Sequence, residues 1–201
     1  TLEEMIEMTL SFQQNRLPKG PSIAFMTTSG GTVDLLHDYC EQENAVVADL
    51  SAETVEAIRP YVPVDCHIRN PIDTGAPVGA SGKSAPAEIC KAFAADPSID
   101  MVAWCNNMPG SARSAGPQEE VRDLINSTDK PVISFARMPH QIPEGGLDFQ
   151  DATNMPFLQG TRAGVRAMNA LWFFGERAGR DMPPMPEPSG NTSNCSGEAL
   201  A

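Results

Sequence analysis

Three short stretches carry residue types from which a binding site can be built. Residues 26–36 read MTTSGGTVDLL: an apolar run is broken by Ser29, Gly30 and Gly31 and then resumes at helical spacing. A helix opening at this point offers unpaired first-turn N–H groups and the positive end of its dipole. Glycines leave no Cβ to block an approaching anion. Thr28, Ser29 and Thr32 add hydroxyl donors beside them. The loop is not GxxxxGK[ST], since no lysine follows, and it is not GxGxxG. A tight strand-to-helix turn that needs positive φ accounts for the same glycines equally well.

The second stretch is NPIDTG, residues 70–75. Pro71 pushes Asn70 towards an extended conformation. Asp73 and Thr74 offer hydrogen bonds to backbone or to a ligand, and Gly75 lets the chain turn; an Asx-type turn with no ligand fits as well. The third is Asn106-Asn107-Met108-Pro109-Gly110, which follows an apolar run. Its two amides are suited to lining a pocket, or equally to capping neighbouring backbone. Arg137 and His140 also follow a strand-like run, at an edge suited to meeting an anion.

Other chemistries find no support. The three histidines are His37, in a helical stretch beside Asp38, His67, in a short extended segment, and His140, in a Pro-flanked loop. No HExxH, CxxC or GxSxG motif places them beside a metal or nucleophile, so no metal site is expected. Five cysteines, an odd number without CxxC spacing, read as buried reduced thiols in a reducing compartment. A net charge of −12, with 14 scattered lysines and arginines, opposes nucleic-acid binding. No apolar run approaches the ~20 residues of a membrane span, and no signal peptide is evident. The expectation is a cytoplasmic protein, and the initial Thr suggests a piece of something longer.

The elements that must position these stretches alternate along the chain. LEEMIEMTLSFQQN is an amphipathic helix ended by Pro18 and Gly20, and PSIAFMTTS is a buried strand. GTVDLLHDYCEQEN sets Val33, Leu36 and Cys40 on one helical face. AVVADL is a strand, and Ser51 caps a helix over AETVEAIRPYV. After NPIDTG and the loop APVGASGKSAP come the helix AEICKAFAAD, the strand IDMVAWCNN, the helix EEVRDLINST and the strand KPVISFARM. A Pro/Gly-rich loop leads to the short strand NMPFLQ, and GTRAGVRAMNALWFFGERAGR is the last and longest helix. Strands alternating with helices predict parallel strands and crossovers, hence an α/β three-layer sandwich with a mostly parallel sheet. The domain is expected over residues 21–180, preceded by the helix and lead-in of 1–20 and followed by a Pro-rich linker, 181–201.

The combination of SGG opening a helix, LSAETVEAIRPYVP, NPIDTG, DPSIDMV, KPVISF and GTRAGVRAMNAL, in that order from about Leu2 to Arg177, resembles one family. It is similar to the second CoA-ligase domain, flavodoxin-like in fold, of the NDP-forming acyl-CoA synthetases, relatives of succinyl-CoA synthetase. The resemblance implies an ADP-forming enzyme that makes acyl-CoA from a carboxylic acid, CoA and ATP with Mg, through an acyl phosphate and a phosphohistidine. It implies that Thr28, Ser29, Gly30, Gly31 and Thr32 contact phosphate. Asn70, Pro71, Asp73, Thr74 and Gly75 would shape the adjoining floor, and Asn106 and Asn107, with Met108, would touch the acid. The partners implied are a CoA-binding, phosphohistidine-bearing domain and an ATP-grasp domain. This sequence has no SHTG-type motif and neither partner domain, so it carries no phosphorylated histidine of its own, and His37 is not assigned that role. The implied picture is a fragment inactive alone that holds at most phosphate. The competing readings are a non-catalytic flavodoxin-like module for a ligand or partner, and an interaction domain using Trp172, Phe173 and Phe174, aromatics otherwise expected in the core.

Overall fold

The computed structural model describes residues 1–75, 84–106, 118–139 and 146–178. Asn107, Met108, His140 and the segment 181–201 lie outside the described residues. Helix α1 (Leu2–Ser11) precedes β1 (Ser22–Thr27), α2 (Gly30–Glu43), β2 (Val46–Val47) and α3 (Ala52–Ile58), which tightens into a 3₁₀ turn over Arg59–Tyr61. Then come β3 (Ile72–Asp73), α4 (Ala85–Ala95), β4 (Met101–Cys105), α5 (Gln118–Asn126), β5 (Val132–Phe135), α6 (Gly146–Thr153), β6 (Phe157–Leu158) and α7 (Thr161–Ala178). Every strand pairing is parallel, in the order β2-β1-β4-β5-β6, with β3 also on β1. This is the flavodoxin-like order, and the three-layer α/β expectation holds.

The apolar runs of the strands have a simple cause. In β1, Ile23 and Phe25 join one core and Ala24 and Met26 the other. Both faces of the sheet are therefore covered, and no polar alternation is needed. Leu36 and Cys40 of α2 and Val165, Met168 and Leu171 of α7 fill the first core, with Met8 and Leu10 of α1 against it. Ile58 of α3, Ile89 and Phe93 of α4, Leu124 of α5 and Phe149 of α6 fill the second. Gly164 lets α7 lie directly on the sheet, because a Cβ there would overlap the Phe135 ring.

Two short strands share one edge of β1. β2 pairs with its start (Ser22 and Ile23) and β3 with its end (Met26 and Thr27). Asn70 bridges the gap between them. Its Oδ1 accepts from Phe25 N at 2.8 Å, and its Nδ2 donates to Ile23 O and Ala48 O, each at 2.8 Å. The side-chain amide does the work of a missing peptide group in the ladder.

Three expectations need correction. Residues 146–153 form α6 within what reads as a loop, since GLDFQDAT buries only Gly146, Phe149 and Thr153. The NPIDTG stretch contains β3, too short to show a two-residue period. Phe173 and Phe174 are exposed rather than buried: α7 runs past its core contacts, so Phe174 packs edge-on against Phe12 and the Arg177 guanidinium lies over Phe173. Three of the five thiols expected to be buried are so, whereas Cys66 is only partly buried and Cys195 lies outside the described residues. Cys40, Cys90 and Cys105 are buried, and burial pushes Cys40 and Cys105 up to about 12. They stay protonated and serve as small core side chains.

Asp96 ties the turn before β4 to the start of α3. Only 2% exposed, it accepts from Ser51 N at 2.9 Å, Thr54 Oγ1 at 2.7 Å, Ser98 N at 2.9 Å and Ser98 Oγ at 2.7 Å. Burial opposes its charge, but the bonds from Ser98, Ser51 and Thr54 outweigh that and hold the carboxyl well below the usual carboxylate range. Asp96→Ala is expected to cost about 2–4 kcal/mol, read as a lower urea midpoint. A depressed folded value means that this contribution is complete above the unfolded value, near ~3.9, and fades as pH falls below it. Asp96→Asn should accordingly flatten the acid limb of stability against pH; an unchanged limb would assign the acid loss to other carboxylates.

Candidate functional site

β1 and β4 lie side by side, and their crossovers depart to opposite faces of the sheet. A crevice opens beyond their carboxyl ends, as at other switch points of parallel sheets. Thr28 and Asn106 are the first residues past those ends, and Thr28 Oγ1 donates to Asn106 Oδ1 at 3.5 Å. Helix α2 starts directly above them, with Ser29 as its N-cap in an extended conformation (φ −151°, ψ 118°). The Ser29 hydroxyl makes no cap bond, whereas Ser51 at α3 accepts from Thr54 N at 3.2 Å. The amides of Thr32 and Val33 go to Ser29 O, at 3.0 and 3.3 Å. Those of Gly30 and Gly31 take no acceptor among the described residues.

Neither glycine has a left-handed backbone, so the turn does not need glycine for its φ. A Cβ on Gly30 would come within 3.3 Å of Asp73 Oδ2, while one on Gly31 would meet nothing within 4 Å. Glycine in a helix costs roughly 0.5–1 kcal/mol relative to alanine. Among the described residues Gly31 has no steric or conformational reason for that cost. What it provides is bare backbone at the entrance of a helix of 14 residues.

A cleft of about 540 Å³ adjoins this entrance. Gly30 and Asp34 of α2 form one wall, Asp73 to Gly75 the floor, and the loop carrying Asp65, Cys66, His67 and Arg69 the far wall. Asp73 Oδ1 accepts from Gly75 N at 2.9 Å, an Asx-type turn, and Gly75 has φ +56°. Cys66 Sγ donates to Asp73 O at 3.5 Å; burial, reinforced by the Asp73 charge, raises this thiol too. Three aspartates against Arg69 make this side acidic.

The structure thus gathers Thr28, Ser29, Gly30, Gly31 and Asn106 at one edge, with Asp73 and Gly75 beside them. Thr32 is only 5% exposed and Thr74 fully buried. Thr74 binds Thr27 O through its amide at 2.9 Å and its hydroxyl at 3.2 Å, so it holds β3 rather than a ligand. Asn70 is consumed by the β1 edge, and Pro71 lines the cleft while itself buried. The loop with Asp65, His67 and Arg69 is absent from the expected site residues. No motif flags it, because only the pairing of β3 with β1 folds it back towards α2. Among the described residues no group of His, Cys, Asp and Glu is arranged to hold a metal ion, and no helix is long and apolar enough to cross a membrane.

No family model matches the chain. It is 30% identical over 141 residues to the alpha subunit of an ADP-forming acetate–CoA ligase II from Pyrococcus furiosus, covering 67% of this chain and 30% of that protein. An ADP-forming acetate–CoA ligase I of Archaeoglobus fulgidus is 26% identical over 102 residues, 51% of this chain and 14% of its own length. The chain therefore spans less than a third of either relative. A Pyrococcus horikoshii crystal structure superposes with a TM-score of 0.74 at 25% identity, over 90% of this chain and 41% of that one. A dinucleotide-forming acetyl-coenzyme A synthetase 1 of Candidatus Korarchaeum cryptofilum, also solved with phosphate and ADP, shares the fold with a TM-score of 0.69. Its identity in the phosphate and ADP complex is 19%, over 88% of this chain and 38% of that one.

Gly31 gives a direct measurement. Gly31→Ala should raise stability by up to about 1 kcal/mol in urea unfolding, since the alanine gains helix propensity and meets no neighbour. A loss of stability would show that the fold requires this glycine.

Proposed function

The chain is a CoA-ligase-type domain of the ADP-forming acyl-CoA synthetase family, and we propose that it supplies the entrance of α2 as a cradle for a phosphoryl group during acyl-CoA formation. The observation that carries this reading is the pair of exposed amides at Gly30 and Gly31 above a switch point, which take no acceptor among the described residues. Two N–H groups and the helix dipole, about half a positive charge, stabilise a phosphoryl oxyanion without any cationic side chain. The Ser29 hydroxyl, which makes no cap bond, adds a donor. The Asp73 carboxylate holds the opposite side, so the phosphoryl group enters over Thr28 and Asn106 and away from the acidic cleft.

In this role the domain carries out no bond exchange itself. The phosphorylated histidine belongs to a partner domain, and the carboxylic acid, CoA and ATP with Mg bind mainly to the rest of the enzyme. This domain contributes charge stabilisation and position: fixed amide dipoles aimed where the phosphoryl charge rests between transfers. Alone it would be inactive. Asn106 stands at the carboxyl end of β4, where the acyl end of an acyl phosphate would lie.

The test uses a full-length enzyme that carries this domain. Gly30→Leu with Gly31→Leu is expected to lower CoA- and ATP-dependent thioester formation by a factor on the order of 10² or more, with circular dichroism unchanged. Undiminished activity in the folded double variant would refute the reading.

A further inference from the structure

The last residues of β1, β3 and β4 form a row at the carboxyl edge. Thr27 pairs in register with Asp73 on one side and with Cys105 on the other. Register partners in parallel strands point to the same face, here the one lined by Phe25 and covered by Leu36 of α2. Thr27 is fully buried, and its hydroxyl takes no partner among the described residues. Such a group costs stability unless a ligand or an ordered water meets it. The row thus brings one unspent donor under the helix entrance.

Asp73, next in the row, carries the opposite chemistry. Its Oδ1 accepts from Gly75 N at 2.9 Å, which fixes the carboxylate, and its Oδ2 lies 3.3 Å from where a Cβ of Gly30 would stand. Oδ2 takes no donor among the described residues, and neither His67 nor Arg69, which line the same cleft, pairs with it. Asp34 and Asp65 add negative charge to the cleft walls. A full negative charge is therefore held beside the positive end of α2, whose dipole amounts to about half a unit.

Granted that α2 holds a phosphoryl group as proposed, we infer that Asp73 determines the specificity of that cradle: its fixed carboxylate opposes free phosphate dianions, so that they do not compete with a phosphoryl group delivered on a carrier. A tethered phosphoryl group has a high effective concentration and tolerates the repulsion, whereas phosphate from solution does not. Coulomb repulsion falls with distance and with intervening water, so Asp65, across the cleft, contributes far less than Asp73.

Asp73→Asn removes the charge while Oδ1 can still accept from Gly75 N. Asp73→Ser, whose hydroxyl can accept the same bond, is the second variant. Amide NMR titration of the whole chain at mildly alkaline pH reads affinity at Gly30 and Gly31. The probes are inorganic phosphate, mostly a dianion, and dimethyl phosphate, a monoanion, with chloride at matched ionic strength as control. Both Asp73 variants are expected to bind phosphate at least fivefold more tightly than the native chain. Their gain for dimethyl phosphate should be only about twofold, because the repulsion scales with ligand charge. Asp65→Asn, an equal change in net charge, should stay within twofold for both probes. Unchanged phosphate affinity in the Asp73 variants, an equal gain in Asp65→Asn, or an equal gain for the two probes would overturn the role of Asp73 and leave the cradle standing. Shifts at Gly30 and Gly31 that chloride reproduces, or none in any chain, would overturn the cradle and the role of Asp73 with it.

Discussion

The carboxyl edge depends on how β1 is paired along the side away from β4. No single strand covers that side: β2 takes the first residues and β3 the last, each over two pairs. Two-residue strands are far shorter than the usual five or six, and neither would hold register alone. The Asn70 amide closes the gap by accepting from Phe25 N and donating to Ile23 O and Ala48 O, so β1, the exit of β2 and the entry to β3 form one hydrogen-bonded unit. The buried Thr74 extends the same unit by one residue. Asp73 is thereby held against Gly30, and the loop through His67 is folded back as the cleft wall. The geometry of the site is a consequence of this edge.

The opposite ends of the helices are secured differently. Glu43, the last residue of α2, receives the bidentate Arg166 fork, and its carbonyl accepts from Asn169 Nδ2 at 2.7 Å. The C-terminus of α2 is thus locked to α7 while its N-terminus is left without a side-chain cap. A carboxylate at a helix C-terminus is unfavourable by itself, and the Arg166 charge offsets it. Anchoring at one end leaves the other free to present bare amides without loosening the helix.

Much of this was legible in the sequence because the helices and longer strands carry strong periods: Val33, Leu36 and Cys40 face the core as their spacing implies, and Ser51 caps α3 through Thr54. The rest was not legible for definite reasons. α6 has one large core residue per two turns, so GLDFQDAT shows no amphipathic stripe. β3 is too short for a period. The role of Asn70 is tertiary: its partners Ile23, Phe25 and Ala48 are 22 to 47 positions distant. Arg137 stood out as the residue after a strand, yet its convergence with Arg162 and Arg166 arises only when β5 and α7 are in place. Sequence spacing finds sites built within one turn of chain, such as Thr28 to Thr32. Sites assembled across elements leave no local mark.

The entrances of α2 and α7 also bear on how so acidic a protein handles anionic ligands. Long-range attraction is unavailable to it, because a net charge of −12 opposes phosphate near the surface and any field is screened beyond the Debye length, about 8 Å at physiological salt. Short-range capture must then supply the stabilisation, and backbone amides do so without adding net charge that nearby carboxylates would neutralise. α2 follows this course by presenting bare amides at its entrance, and its acidic cleft disfavours an anion on the wrong side. At the entrance of α7, by contrast, Glu43 and Glu4 hold Arg162 and Arg166 in ion pairs. The first arrangement suits a phosphoryl group delivered by a tethered carrier, whose effective concentration makes up for weak intrinsic affinity.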